Sequence, residues 1–303
     1  MRYVSEIFGF PPTNKTIEAT KIRSKYLCPF RGNGSDTDCD PINKKSNLTD
    51  DKGNFLLSHQ TGACSTFHGG TGKQTGEAVI ICPYRFQEKN TKGKVIVFDF
   101  IKDKFFKGKN LLFVPEIGLG KYGRADWIIC EFNDTTQKII DYSHLEFQAD
   151  ATTGTGGLVL CIKDFFDGKD ITQNTYEYGL NSKASIKGSS LQMIDKGYLF
   201  QKLGKKSLWV IQDTLFDILC KIYGVIMKDV DKENDLKTNN LIFVVVGLDH
   251  NVSNDRYNLV IRKCVCTSPS ALQKAMSKKE PIEESLILEA LNEKIESGNF
   301  LRT

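Results

Sequence analysis

Arg124-Ala125-Asp126-Trp127-Ile128-Ile129-Cys130-Glu131-Phe132, then the turn-like Asn133-Asp134-Thr135-Thr136, then residues 138–148 ending in His144-Leu145-Glu146-Phe147-Gln148: this stretch decides how the rest of the chain is read. Two runs rich in aromatic and β-branched residues on either side of a polar turn predict an antiparallel hairpin. Side chains alternate between the faces of a strand, so Asp126 shares a face with Ile128 and Cys130, and Glu146 with Gln148. The hairpin can bring Asp126 beside Glu146. Two carboxylates that close repel each other unless a cation sits between them. Hard oxygen ligands of this kind suit magnesium, with water in the remaining positions. Such an ion polarises a phosphodiester and lowers the pKa of a bound water. The Gln148 amide can hold that water or a phosphate oxygen, but it carries no charge, so acidifying the water is left to the ion. Glu116, after Val114-Pro115, is a further candidate ligand. The plain alternative is an exposed strand with surface acids.

Working outward, residues 95–98 and 111–114 read as short strands, and residues 189–203 as a helix followed by a strand at 208–212. Residues 214–227 are apolar at helical spacing, with Leu215, Ile218, Leu219, Ile222 and Ile226 on one side. Strands are expected at 241–248 and 257–266, and helices at 269–278 and 281–297. Strands interleaved with helices predict an α/β chain, a mixed β-sheet flanked by helices. In the last helix, Ile282, Leu286, Ala290, Leu291 and Ile295 are expected to pack on the core, with a second subunit as the alternative.

The first ninety residues have a different texture. Phe10-Pro11-Pro12, Arg31-Gly32-Asn33-Gly34-Ser35-Asp36 and His68-Gly69-Gly70-Thr71-Gly72 are rich in turn formers and poor in periodic apolar positions. Of the nine cysteines, Cys130, Cys161, Cys220, Cys264 and Cys266 lie in apolar or alternating runs and read as small core residues. Cys28, Cys39, Cys64 and Cys82 lie where little core is expected to hide them. Cys28 and Cys82 each follow an apolar residue and precede a proline, which stiffens the backbone beside the sulfur. Four thiolates form the ligand set of structural zinc and of mononuclear iron, and a bound metal staples a segment short of core. The spacing is not that of a two-residue knuckle, and four unrelated cysteines are the alternative. The chain is therefore divided into a loop-rich metal-binding region, 1–92, and a core, 93–303.

With 303 residues, 40% of them hydrophobic and 26% charged, the chain is long enough to bury a full core. The longest apolar run, residues 241–246, is too short to cross a bilayer, and no secretory signal is visible at the N-terminus, so a cytoplasmic protein is expected. A net charge of +4 permits nucleic-acid binding without arguing for it. Residues 102–109 mix Lys and Phe, and Lys183, Lys187, Lys202, Lys205 and Lys206 give the middle of the chain a basic bias that suits phosphate contacts. Residues 102–109 read as a solvated loop with inward-packing aromatics. Residues 152–157 read as a connection small enough for close backbone approach to DNA.

Phe8-Gly9-Phe10, Cys28-Pro29-Phe30, Cys39, Gly62-Ala63-Cys64, Cys82-Pro83 and Arg85, then Asp126-Trp127 and Glu146-Phe147-Gln148, occur in that order. This succession resembles the NotI family of type II restriction endonucleases. The resemblance runs through the first half of the chain, with a weaker echo around residues 187–200. It implies a PD-(D/E)xK nuclease core, a restriction-endonuclease-like mixed sheet with helices on both sides. Members of the family carry Gln where the general motif has Lys, and Gln148 matches that departure. The proline that precedes the first acid in the family is replaced here by Ala125. Carried over, Asp126 and Glu146 become magnesium ligands, Gln148 positions the attacking water, and Cys28, Cys39, Cys64 and Cys82 hold a structural metal, which in the family is iron. The resemblance also implies a homodimer that cuts palindromic double-stranded DNA within a restriction-modification system, with a DNA-contacting N-terminal region. The competing reading is a sequence-specific DNA-binding protein with the same four-cysteine metal site and inert acids.

Overall fold

The hairpin forms where the alternation puts it. Strand β5 (Arg124–Asn133) pairs antiparallel with β6 (Lys138–Gln148), with Trp127 opposite Leu145 and Ile128 opposite His144. The computed structural model describes residues 2–32, 37–39, 49–54, 56–69, 76–278 and 283–297. Residues 33–36 and 70–72 of the two glycine-rich loops, and Ile282, lie outside them.

Before the hairpin come β1 (Val4–Ile7), α1 (Ile17–Ser24), β2 (Ala63–His68), β3 (Glu77–Ile80), α2 (Ile96–Phe105) and β4 (Leu111–Gly118). After it come β7 (Thr152–Thr153), α3 (Thr155–Phe166), β8 (Gly179–Leu180), α4 (Ser182–Lys202), β9 (Ser207–Gln212), α5 (Asp213–Tyr223), β10 (Lys228–Asp229), β11 (Leu241–Asn251), β12 (Arg256–Thr267), α6 (Pro269–Ser277) and α7 (Glu284–Glu296). Seven strands form one mixed sheet in the order β10-β12-β11-β9-β6-β5-β4. Its centre is parallel, β9 lying between β6 and β11, and both flanks are antiparallel.

A parallel centre is covered on both faces, and the sequence shows it as unbroken apolar runs. Leu208 and Val210 face one layer with Val97 and Ile101 of α2, while Trp209 and Ile211 face the other with Met193 of α4 and Leu215 and Leu219 of α5. Each such aliphatic side chain stabilises the fold by roughly 1.5–3 kcal/mol. Trp209 is 1% exposed, so Trp209→Ala would cost about 3–5 kcal/mol. The N-terminal sheet, β1-β2-β3, joins the large one end-on: Gln212 bonds the backbone of Ile80 and Ala78 through its amide, and the Asp150 N–H donates to Ile80 O.

Several expectations are corrected. Residues 95–98 are not a strand. Val97 and Ile101 are buried four residues apart, and that spacing makes α2 a helix packed on the sheet, extending through Phe105 into the run expected to be a loop. The small residues at 152–157 open α3, and the close approach they permit is to the chain itself: a Cβ on Gly157 would lie 2.2 Å from the Glu177 carbonyl oxygen. The N-terminal segment has its own core. Ile7, Phe8 and Phe10 are buried with Leu158 and Ile162 of α3, so there is apolar interior available to thiols. Leu286, Ala290, Leu291 and Ile295 are exposed and no residue of α7 is buried, because Leu272 of α6 already closes the α4–α5 layer. Among the described residues no helix is long and apolar enough to cross a membrane.

Candidate active site

Asp126 and Glu146 meet where the hairpin opens. The β5–β6 ladder stops at Trp127–Leu145, while β6 stays paired with β9 as far as Gln148. The next residues in register are Asp126 and Glu146, and their carboxylates take the N–H groups that the ladder releases. The Asp126 N–H donates to Glu146 Oε1 at 3.3 Å, and the Phe147 N–H donates to Asp126 Oδ2 at 2.9 Å. The two carboxyl groups are themselves within hydrogen-bonding reach, and burial together with the Glu146 charge pushes Asp126 up to about 6. The pair thus stores a like-charge repulsion that a cation relieves.

Glu146 stays ionised for reasons that the structure makes explicit. Burial would raise its pKa, but hydrogen bonds and charge from His144 and Lys196 hold it below the ordinary value. Lys196 Nζ donates to Glu146 Oε1 at 2.6 Å, and His144 Nε2–H donates to the same oxygen at 2.8 Å. His144 is itself kept below its ordinary value, burial being the main cause. A chain of hydrogen bonds runs behind it: Trp209 Nε1–H donates to Ser207 Oγ at 3.1 Å, Ser207 Oγ meets His144 Nδ1 at 2.9 Å, and His144 Nε2–H donates to the Glu146 carboxylate. Phe200 of α4 stacks on the imidazole and fixes its plane, with centroids 4.6 Å apart.

Asp126 opens onto a cleft of about 590 Å³. Glu116, Asp126 and Trp127 line one side of it, and Arg31, Pro83 and Tyr84 of the N-terminal segment line the other. Glu116 is in register with Asp126 on β4, between the pairs Pro115–Trp127 and Ile117–Ala125, so three acids lie in a row across β4, β5 and β6. Its backbone is left-handed (φ 55°), a strained conformation for a non-glycine residue, and its carboxylate pairs with Arg124 at 3.0 Å.

Residues 13–259 match the family of restriction endonuclease NotI. The chain belongs to that family. It is accordingly a restriction endonuclease, a site-specific deoxyribonuclease acting on DNA. Comparison with curated proteins gives no match.

Within this NotI-family chain the structure places the expected residues unequally. Asp126 and Glu146 are in contact, and Glu116 lines the same cleft. Gln148 shares the Glu146 face but lies beyond it, its amide donating to Ala149 O at 2.8 Å beside a depression also lined by Asp150 and Thr152. Of the basic residues, Lys205 pairs with Asp141 and Lys206 lies over the Phe106 ring, both at the far end of β9 from Gln148, while Lys183 and Lys187 are exposed. Sequence reading missed Lys196 and His144. A signal existed for each: Lys196 falls at helical spacing among Met193 and Phe200 on the inward side of α4, and His144 alternates with Glu146.

The four N-terminal cysteines converge as two backbone pairs. Leu27 bridges Asp38, with the Cys28 N–H on Thr37 O and the Cys39 N–H on Tyr26 O, while the Cys82 N–H donates to Cys64 O. Cys28 and Cys64 are buried against Phe30 with Cys39 and Tyr84 beside them. The Cys64 thiol is pushed well up by burial and then by Cys82, Glu6, Cys28 and Cys39. Gly62 carries a φ of 65° because the Phe8 ring lies where a Cβ would be, at 2.3 Å, so the Phe8 and Cys64 motifs interlock. Among the described residues no group of three or more His, Cys, Asp or Glu has the spacing of a metal site. Arg85, fully buried, joins the segment to the core through Glu6 at 2.9 Å, Glu88, and Tyr257 O at 2.8 Å, with Phe30 against its guanidinium.

Proposed function

We propose that the protein is a type II restriction endonuclease that hydrolyses both strands of a short palindromic double-stranded DNA site, with magnesium, as a homodimer. The observation that carries this reading is the contact of Glu146 with Asp126, which lines a cleft, in a chain of this family. Hard oxygen donors and a like-charge pair that Lys196 offsets only in part fit a divalent cation. Asp126 and Glu146 would hold it, with Glu116 as a third acid in the row. When bound, such an ion polarises the phosphodiester and acidifies a water. The protein's own part is positional. Phe147 N–H orients Asp126, while Lys196 and His144 orient Glu146. Gln148, on releasing Ala149 O, offers an amide to the attacking water or a phosphate oxygen. Hydrolysis adds one water across the phosphodiester: an O–P bond forms, the P–O bond to the leaving sugar oxygen breaks, and that oxygen departs with a proton.

The N-terminal region, residues 1–92, belongs to the same proposal as a DNA-contacting part, supported by Arg31 and Tyr84 in the cleft wall, with residues 93–303 as the nuclease core. So does a structural iron or zinc on Cys28, Cys39, Cys64 and Cys82, supported by the convergence of the four thiols alone, since the segment has core enough to bury two of them. A two-fold assembly matches a two-fold site, and a cytoplasmic enzyme is where such a site would be read.

The test is digestion of plasmid and phage DNA with and without magnesium, by wild type and by Glu146→Gln. Discrete fragments that require magnesium and fall roughly 1,000-fold in Glu146→Gln, as expected for losing several kcal/mol of metal-borne stabilisation, support the reading. Protection of DNA without cutting would replace it with the DNA-binding alternative.

A further inference from the structure

Lys196 is the unexplained feature of the site: a lysine on the sheet-facing side of α4, 3% exposed, in a chain whose other lysines are mostly on the surface. A buried ammonium persists only when its charge and donors are satisfied. Lys196 Nζ donates to Glu146 Oε1 at 2.6 Å and to the Arg124 carbonyl at 2.7 Å. Charge neutralisation alone would explain the first contact but says nothing about its geometry.

The geometry is uneven. His144 Nε2 and the Asp126 N–H also go to Oε1, so three donors crowd one oxygen of Glu146. Oε2 receives no N–H or O–H donor among the described residues. Three donors on one oxygen fix the rotation of the carboxylate and leave the other oxygen without a donor. The second bond of Lys196 adds a constraint that His144 cannot supply, because it grips β5 two residues before Asp126. One side chain therefore ties the β6 carboxylate to the β5 backbone at the point where the ladder between the two strands has ended.

We propose that Lys196 is a positioning residue of the active site, which pins Glu146 Oε1 and the Arg124 carbonyl so that Glu146 Oε2 and the Asp126 carboxylate face one divalent cation together. The proposal rests on the reading of Asp126 and Glu146 as cation ligands and deepens it. Residues that orient metal ligands from behind typically change metal affinity or activity by about 10–100-fold.

Three variants, Lys196→Met, Lys196→Arg and Glu146→Gln, test it, each followed by thermal melting, by manganese titration of the protein without DNA read by electron paramagnetic resonance, by DNA binding in chelator, and by cleavage. Lys196→Met is expected to weaken manganese binding by about 10–100-fold with DNA binding in chelator unchanged. Lys196→Arg keeps the charge, and so the fold, but its wide planar fork cannot place one N–H donor group on both oxygens; it is expected to weaken manganese binding as well. If Lys196→Met does not fold, Lys196→Arg decides alone. Manganese affinity within twofold of wild type in every folded Lys196 variant overturns the proposal, as does a loss of DNA binding and manganese binding in equal measure, which would mean a merely structural lysine. Glu146→Gln separates the two readings: if it binds manganese and cuts like wild type, the cation site itself is misplaced, whatever Lys196 does.

Discussion

Asp126 and Glu146 cap each other's strands: the carboxylate of each accepts a backbone N–H from the other side of the opened hairpin, at 2.9 Å to Phe147 N and 3.3 Å to Asp126 N. The arrangement that splits the β5–β6 ladder is thus the one that assembles the acids. Their repulsion has a signature in metal-free protein. Asp126 is pushed from 3.8 to about 6 by burial and by Glu146, so between those values the folded state binds more protons than the unfolded one. Stability therefore falls as pH rises through that window, and the full penalty is present above it. Asp126 faces the cleft, so solvent screens the effect to under about 1 kcal/mol. In chelator, Asp126→Asn should melt with wild type near pH 4 and about 1–2 degrees higher near pH 7.5. A wild type more stable than Asp126→Asn at the higher pH contradicts the assignment.

The chain of hydrogen bonds through Ser207 predicts a second effect. Ser207→Ala leaves Trp209 Nε1–H and His144 Nδ1 without partners in a fully buried layer. Orphaned buried polar groups cost about 1–3 kcal/mol each. With two groups orphaned, denaturant unfolding should show a loss of about 2–6 kcal/mol with an unchanged slope, whereas Ser207→Thr, which keeps the hydroxyl, should lose less. Equal losses would mean that the chain does not run through the hydroxyl.

Legibility followed periodicity. The hairpin, β9, β11 and β12 stood out because alternating or continuous apolar runs report a buried strand, and Asp126 and Glu146 came with the hairpin. α2 was misread because its β-branched start, Val95-Ile96-Val97-Phe98, has strand propensity that packing of Val97 and Ile101 overrides. α3 was missed because Gly156 and Gly157 depress helix propensity, and only the distant Glu177 backbone explains Gly157. Lys196 and His144 were passed over for a related reason. Each is polar at an apolar-spaced position, and its partner, Glu146 or Ser207, is far along the chain or on another strand.

Arg85 predicts how firmly the N-terminal segment is held. Its guanidinium is buried and stays charged because Glu6 and Glu88 outweigh desolvation. Arg85→Met leaves Glu6 buried and unpaired, and breaking one partner of a buried pair costs about 3–5 kcal/mol. Arg85→Met with Glu6→Gln should recover part of that loss, since the stranded charge is gone. Unfolding free energies of the two singles and the double decide it, and simple additivity would mean that the two residues do not act as a pair.

The cysteine segment yields the last prediction, and it turns on what the structure changed. Thiols in a region without a core would have needed a metal to be tolerated, but Cys28 and Cys64 are buried beside Phe30, and Phe8 and Phe10 supply further interior. Burial therefore no longer argues for a metal. What argues for one is that Cys39 and Cys82 join them from separate parts of the chain, and that the four thiols oppose each other's ionisation, as at Cys64. A cation bound by thiolates removes that opposition and makes binding energy part of folding energy. Metal analysis of the purified protein should find about one iron or zinc per chain, and visible absorption separates them, because zinc has a filled d shell and no colour. Removing the metal with a strong chelator under reducing conditions should lower the melting temperature, and Cys64→Ser should neither retain the metal nor respond to the chelator. A metal-free protein that melts where the wild type does would leave the four cysteines as ordinary core residues.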